Sequence, residues 1–446
     1  MEVCVFEWRY GSEEMRRIWS RKRRLELMAE VERALLKALV EVGMIPKVNY
    51  DEVREAVKEL DPSEVDELEK ELGHDIMAFT EALRRRMGEA GKYLHLGATS
   101  YDIVDTVWAL QFREALKLIY SYLEDILIQL SCMARKYKDL VMLGRTHGQW
   151  AVPITLGFKF ANYVYEIARS YERLKETEER VVRLKMAGAV GTMAAWGDKG
   201  LEIERIVSEE LGLKPHEIST QIAPRDGFAE LMSNLAILSS VLDRFALEVR
   251  ELSRPEIGEL VEGVAKGQVG SSTMPHKANP ITAEKISGLA KVARSFVIGE
   301  MENIPLWHER DLTNSSSERI IIPHQFLTLD EQLRSFKKLL KKLLVNEERI
   351  KENLEKVKCL NLAERIMVYL TLQKGLARND AHKLVMKAVR EYGDLEKALE
   401  GELGKYLSEE ELAVLCSQKT YLGQADKLIE RAIAYAEGVM GRKVEC

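Results

Sequence analysis

The chain has 446 residues, 31% of them charged, and a formal net charge of −6. That length exceeds one ordinary compact domain and can bury a large core without disulfides. The balance excludes a strongly basic nucleic-acid-binding or membrane-surface protein, so neither nucleic acid nor membrane is an expected partner.

The opening stretch MEVCVFEWRYGSEEMRR carries charge where a secretory signal needs an apolar run. No run approaches the ~18 apolar residues of a membrane span, and a cytoplasmic location is expected. Residues 1–93 show broken periodicity and read as a domain of short helices. From there to about residue 345 long helices dominate. Leu116, Ile119, Leu123, Ile126 and Leu130 form one seam; Phe160, Val164, Ile167, Tyr171 and Leu174 form a second. Leu231, Leu235, Leu238, Leu242, Phe245, Val249 and Leu252 form the third. Steps alternating three and four give a 3.5-residue repeat, hence long helices in a bundle. Ile237, Val241 and Ala246 put apolar groups on another face of the third helix. Such a helix needs neighbours on both sides, which points to a homo-oligomer built through the bundle. Residues 346–446 read as a further set of shorter helices. Strand signals are weak and confined to Ala189–Met193 and Ile320–Ile322, so the expected class is all-α, in three helical domains.

The five cysteines, Cys4, Cys132, Cys359, Cys416 and Cys446, include no CxxC pair, which argues against a zinc or redox site. Sparse Asn and Gln beside abundant Glu, Lys and Arg is a thermophile-like composition, in which intracellular disulfides occur. Pairing therefore stays open, and Cys446 is placed to reach a partner.

Chemistry concentrates in three polar segments. His95 opens HLGATSYDIVDT, where Gly97 permits an unusual turn and Thr99, Ser100 and Asp102 precede a long helix. Capping explains one of these groups, hardly all. His147 lies in GRTHGQWAVP between two glycines, after Arg145 and Thr146, and has loop character. GQVGSSTMPHKANP, residues 267–280, sets Ser271, Ser272, Thr273, Lys277 and Asn279 among Gly and Pro breakers, as a loop able to close over a substrate would. In WHERDLTNSSSER, Arg310, Ser315 and Arg319 suit a carboxylate or phosphate. Each has a plainer explanation: satisfied structural histidines, a solvated linker, a charged loop with helix caps.

Together, HLGATSYDIVDT, GRTHGQ and GSSTMPHKANP, in that order along the chain, resemble the fumarase/aspartase superfamily over nearly the whole chain. Within it the sequence resembles the adenylosuccinate lyase family. Arg9-Tyr10 matches a nucleotide-contacting pair, GHDIMAF matches the segment of a second catalytic histidine (here His74), and Ser315 and Arg319 match phosphate-holding positions. GLARNDAHKLV, residues 375–385, resembles that family's tail domain. The cycloisomerase branch shares an LHxGATSxD segment and a similar signature loop but lacks the His74 segment and the phosphate pair.

The resemblance implies a homotetramer with active sites shared between subunits and no metal or organic cofactor. It implies β-elimination of fumarate from adenylosuccinate and from its earlier carboxamide ribotide counterpart, SAICAR. Ser271 is then the base, with Ser272 not excluded by the residues themselves, and His147 the acid. Lys277 is a cation beside the base and a carboxylate ligand. Glu284 is the carboxylate paired with the acid histidine, and His74 places the leaving group. Thr99, Ser100, Thr146, Gln221 and Asn279 fall to the succinyl end with Lys277, and His95 and Asp102 are further substrate-binding residues; Arg9, Tyr10, Arg310, Ser315 and Arg319 fall to the nucleotide. A cycloisomerase and a catalytically dead scaffold are the competing possibilities.

Overall fold

A computed structural model describes residues 3–263 and 278–446. Ser271, Ser272 and Lys277 lie outside the described residues. Within them the chain forms 17 α-helices and four short strands, an all-α fold.

The 3.5-residue seams become long helices: Ser100–Lys136, Leu156–Val181 and Arg225–Leu252. Every seam residue named above is buried. Ile281–Met301 and Thr313–Lys342 complete a set of five. Ile320–Ile322, a weak strand signal, lies inside the last of these. A β-branched run does not make a strand when its neighbours supply helical spacing on both sides.

The chain divides into two compact units, and each of the five long helices contributes to both. The first comprises Met1–Tyr122, Ser170–Ser240 and Gly288–Arg334. Its N-terminal part departs from the expectation of short helices alone, because Arg21–Glu41 is a helix of 21 residues. Buried Glu32 and Arg33 interrupt its apolar pattern, which is why periodicity undervalues it. Arg33 reaches Glu210 at 2.5 Å, tying this helix to Gly200–Leu211. An aromatic cluster fills the unit, with Trp19–Phe326 centroids 5.0 Å apart and Phe112–Phe228 5.1 Å apart.

The second unit comprises Leu123–Arg169, Val241–Ser287 and Ser335–Cys446. Its main sheet is an antiparallel hairpin, Val141–Thr146 with Gln149–Thr155, where loop character was expected. Its C-terminal helices enclose their own core around Leu362, Ile366, Leu370 and Leu384. Cys359 and Cys416 join within that core, with Cα atoms 5.1 Å apart. Cys446 pairs with Cys132 of the same chain, and Cys4 is free.

Candidate active site

In the first unit, the segment 95–102 is built around two buried carboxylates. Glu32, fully buried, accepts the backbone N–H of His95 at 2.9 Å and its Nδ1 at 2.7 Å. Burial works against the charged imidazole, but the Glu32 charge and hydrogen bond outweigh it, so the His95 pKa is raised. His95 has φ 59° and Gly97 φ 81°. A Cβ on Gly97 would lie 2.3 Å from Trp196 Nε1, whose N–H donates to the Leu96 carbonyl. Only glycine lets the chain approach the indole this closely.

Asp102 corrects the expectation that it contacts substrate. Its carboxylate is fully buried and accepts Lys185 Nζ at 2.6 Å and the N–H groups of Thr99 and Ala187, both at 2.7 Å. It shapes the loop and leaves Thr99 and Ser100 half-buried at the helix start.

His74 caps the helix Asp75–Arg84, its Nδ1 accepting the Met77 N–H at 3.3 Å. That bond makes Nδ1 the acceptor and puts the neutral ring's proton on Nε2, 3.4 Å from Ser100 Oγ. Asp75, next in sequence, pairs with Arg319 at 2.8 Å.

Gln221, Arg310 and Ser315 gather around Tyr101. Gln221 Oε1 accepts from Arg310 at 3.1 Å, and the Arg310 guanidinium stands 3.7 Å from the Tyr101 ring centroid. Ser315 is buried and faces the Tyr101 hydroxyl. Nε and Nη2 of Arg310 are buried and have no hydrogen-bond partner among the described residues. A guanidinium left with free, desolvated donors is costly unless a ligand takes them. Arg9 and Tyr10 follow the short helix Val5–Trp8. Their backbone is fixed downstream, where Ser12 N–H donates to Asp330 at 2.6 Å.

The second unit carries Thr146, His147, Asn279 and Glu284. His147 and Gly148 are the two turn residues of the hairpin, with φ 53° and 75° and Thr146 opposite Gln149. Positive φ at both positions is the type I′ geometry that suits a two-residue hairpin. The turn projects His147 and Thr146 into solvent. The hairpin is anchored from below by Arg145, which grips fully buried Glu259 through both terminal nitrogens at 2.9 and 2.6 Å. Glu262 accepts the Thr282 N–H at 3.0 Å and the Ala283 N–H at 3.2 Å, so it sits at the N-terminus of Ile281–Met301. Glu284 is exposed in that helix's first turn, and Asn279 is half-buried just before it.

The profile of a family described as "Lyase" matches residues 8–294, and one described as "Adenylosuccinate lyase C-terminus" matches residues 360–432. The chain is 48% identical to the adenylosuccinate lyase of Pyrococcus abyssi over 98% of both chains. The chain belongs to the adenylosuccinate lyase family. Its likeness to the adenylosuccinate lyase of Methanocaldococcus jannaschii is 44% over 97% of this chain and 96% of the other. Among solved structures it resembles a 3-carboxy-cis,cis-muconate lactonizing enzyme from Pseudomonas putida, with TM-score 0.87, 31% identity, and 98% and 99% of the two chains covered. The lactonizing enzyme thus shares the fold, while the two adenylosuccinate lyases share more of the sequence.

For a member of this family, several positions that organise the site were not singled out by sequence. Asp75 and Tyr101 sit inside the quoted motifs beside residues that were. Glu32, Glu259 and Glu262 carry no local mark, since their partners lie 63, 114 and 20 residues away.

Proposed function

We propose that the chain eliminates fumarate from adenylosuccinate, giving AMP, and from SAICAR, giving AICAR, in de novo purine biosynthesis. Family membership that extends through the C-terminal segment carries the assignment. Two buried donors of Arg310 that have no partner among the described residues support an anionic ligand in the first unit.

In the proposed reaction Ser271 takes a proton from the carbon beside one succinyl carboxylate. The electron pair passes into that carboxylate and then forms the C=C bond of fumarate. The C–N bond breaks and His147 protonates the leaving nitrogen. Lys277 supports the ionised serine and holds a carboxylate, and Glu284 orients His147. His74, its Nε2 proton directed at Ser100, places the leaving group. Thr99, Ser100, Thr146, Gln221 and Asn279 serve the succinyl end. Arg9, Tyr10, Arg310, Ser315 and Arg319 hold the nucleotide. His95 and Asp102 act through the backbone they fix.

A cytoplasmic homotetramer with shared sites is part of the same proposal. Its support is apolar surface on bundle helices, where Ile237, Leu247, Val292, Ile298 and Ile320 are all exposed in the single chain. No helix among the described residues is long and apolar enough to cross a membrane.

The test is fumarate release by the purified protein from adenylosuccinate, with argininosuccinate and malate in parallel. Release from adenylosuccinate is expected. Release from another substrate alone, or none from a folded oligomer, would overturn the assignment and favour the lyase or cycloisomerase relatives.

A further inference from the structure

Arg310, half-buried with its Nε and Nη2 shielded from solvent, needs something to aim it, because an arginine side chain loses considerable rotamer freedom when it is fixed. The first unit supplies a platform. Tyr101, 6% exposed, lies beneath the guanidinium, with 3.7 Å from Cζ to the ring centroid. At that distance the face of the ring attracts the cation. Gln221 takes one terminal nitrogen, at 3.1 Å. The remaining donors, Nε and Nη2, point from one edge of the guanidinium as a ready fork, without partners among the described residues. Two parallel donors on one edge match two oxygens of a phosphate or carboxylate.

Tyr101 is itself held from one turn away. Asp105, four residues along the same helix, accepts Arg225 at 2.7 Å, and Arg225 donates onward to Glu318 at 2.6 Å. All three are buried, and they join the helices Ser100–Lys136, Arg225–Leu252 and Thr313–Lys342. Glu318 lies three residues after Ser315, and Arg225 four after Gln221. The triad therefore fixes the ring, the amide and the serine relative to each other.

We propose that Tyr101 is a positioning residue that makes the nucleotide's 5′-phosphate a determinant of specificity, its ring presenting the Arg310 fork. The inference rests on the proposed adenylosuccinate activity and goes beyond it by naming what discriminates nucleotide from nucleoside. Tyr101 touches no reacting atom. Its removal acts on binding of the phosphate and leaves the chemical step alone.

The experiment compares adenylosuccinate with its dephosphorylated nucleoside, succinyladenosine, in the full-length protein. Binding of AMP and adenosine is measured alongside by calorimetry. Tyr101→Leu removes the platform, Tyr101→Met does so with an unbranched side chain should leucine fail to fold, and Tyr101→Phe keeps the ring. For Tyr101→Leu, KM for adenylosuccinate should rise roughly 10–100-fold with kcat within about twofold, as expected for loss of a charge-assisted, substrate-phosphate contact. kcat/KM for succinyladenosine should change less than about twofold. Tyr101→Phe should restore most of the phosphate preference. Equal losses on both substrates, or an unchanged preference for AMP over adenosine, would overturn the role of Tyr101. A wild-type protein that binds AMP no better than adenosine would overturn the nucleotide assignment itself.

Discussion

Glu300 offers a sharp test of how this interior handles charge. It lies near the end of the helix Ile281–Met301 and is fully buried. One oxygen accepts Asn303 Nδ2 at 3.1 Å; the other has no partner among the described residues. Burial pushes its pKa up to about 8, and the nearby charge of Glu318 adds to the rise, with Asn303 and Arg225 opposing. Asp105 and Glu318 already share Arg225, so a third negative charge would stand uncompensated. The folded protein therefore holds this carboxyl protonated where the unfolded chain ionises it. Its stabilising contribution is complete below the unfolded value, near 4.5, and is lost as pH rises through about 8. Glu300→Gln keeps the shape and cannot ionise. The variant should match wild type near pH 4.5 and gain over it steadily to about pH 8, reaching a plateau of about 3–5 kcal/mol, since each pH unit between the unfolded and folded values is worth about 1.4 kcal/mol. Thermal or urea unfolding of both proteins across pH 4.5–9.5 measures the difference, and subtraction removes every other titrating group. A difference that is the same at pH 5 and pH 9 would refute the reasoning, because Glu300 would then carry the same charge folded and unfolded.

Ser271→Ala and His147→Ala should each keep the assembled state and lose most fumarate release, by about 10²-fold or more; wild-type rates from either would remove that residue from the mechanism. Arg225→Met breaks a buried triad and should cost about 3–5 kcal/mol by leaving two carboxylates unpaired, read as a fall in the unfolding midpoint. Cys416→Ser opens a disulfide that spans 57 residues and leaves Cys132–Cys446 intact. By chain entropy that loop is worth about 4 kcal/mol, and an unchanged unfolding midpoint in the variant would show that the bridge adds nothing.

Much of the architecture was legible because it depends on local periodicity. A 3.5-residue seam is written into consecutive residues, and each of the three seams became a long helix with that face buried. The motifs likewise marked where polar groups would gather, since glycines and small polar residues before a helix have few other uses. The hairpin under His147 escaped notice, although Gly148 after His147 is a turn signal, because the strand 149–155 contains Pro153 and exposed residues. The helix Arg21–Glu41 was undervalued because its buried charges are satisfied by residues far along the chain.

What the sequence determined by itself was the helical class, the bundle and the inventory of reactive side chains. Only the tertiary structure decided what each polar group does. Asp102 and His95 stand in the same motif as Thr99 and Ser100, yet the first two are committed to Lys185 and Glu32, while Thr99 and Ser100 stay half-buried at the helix start. Tyr101 is an ordinary aromatic in sequence and becomes a platform only because Arg310, 209 positions later in the chain, folds onto it. The physical reason is that periodicity is a property of neighbours along the chain. A buried charge or donor, by contrast, is satisfied by whatever residue the fold brings within about 3 Å, at any distance in sequence.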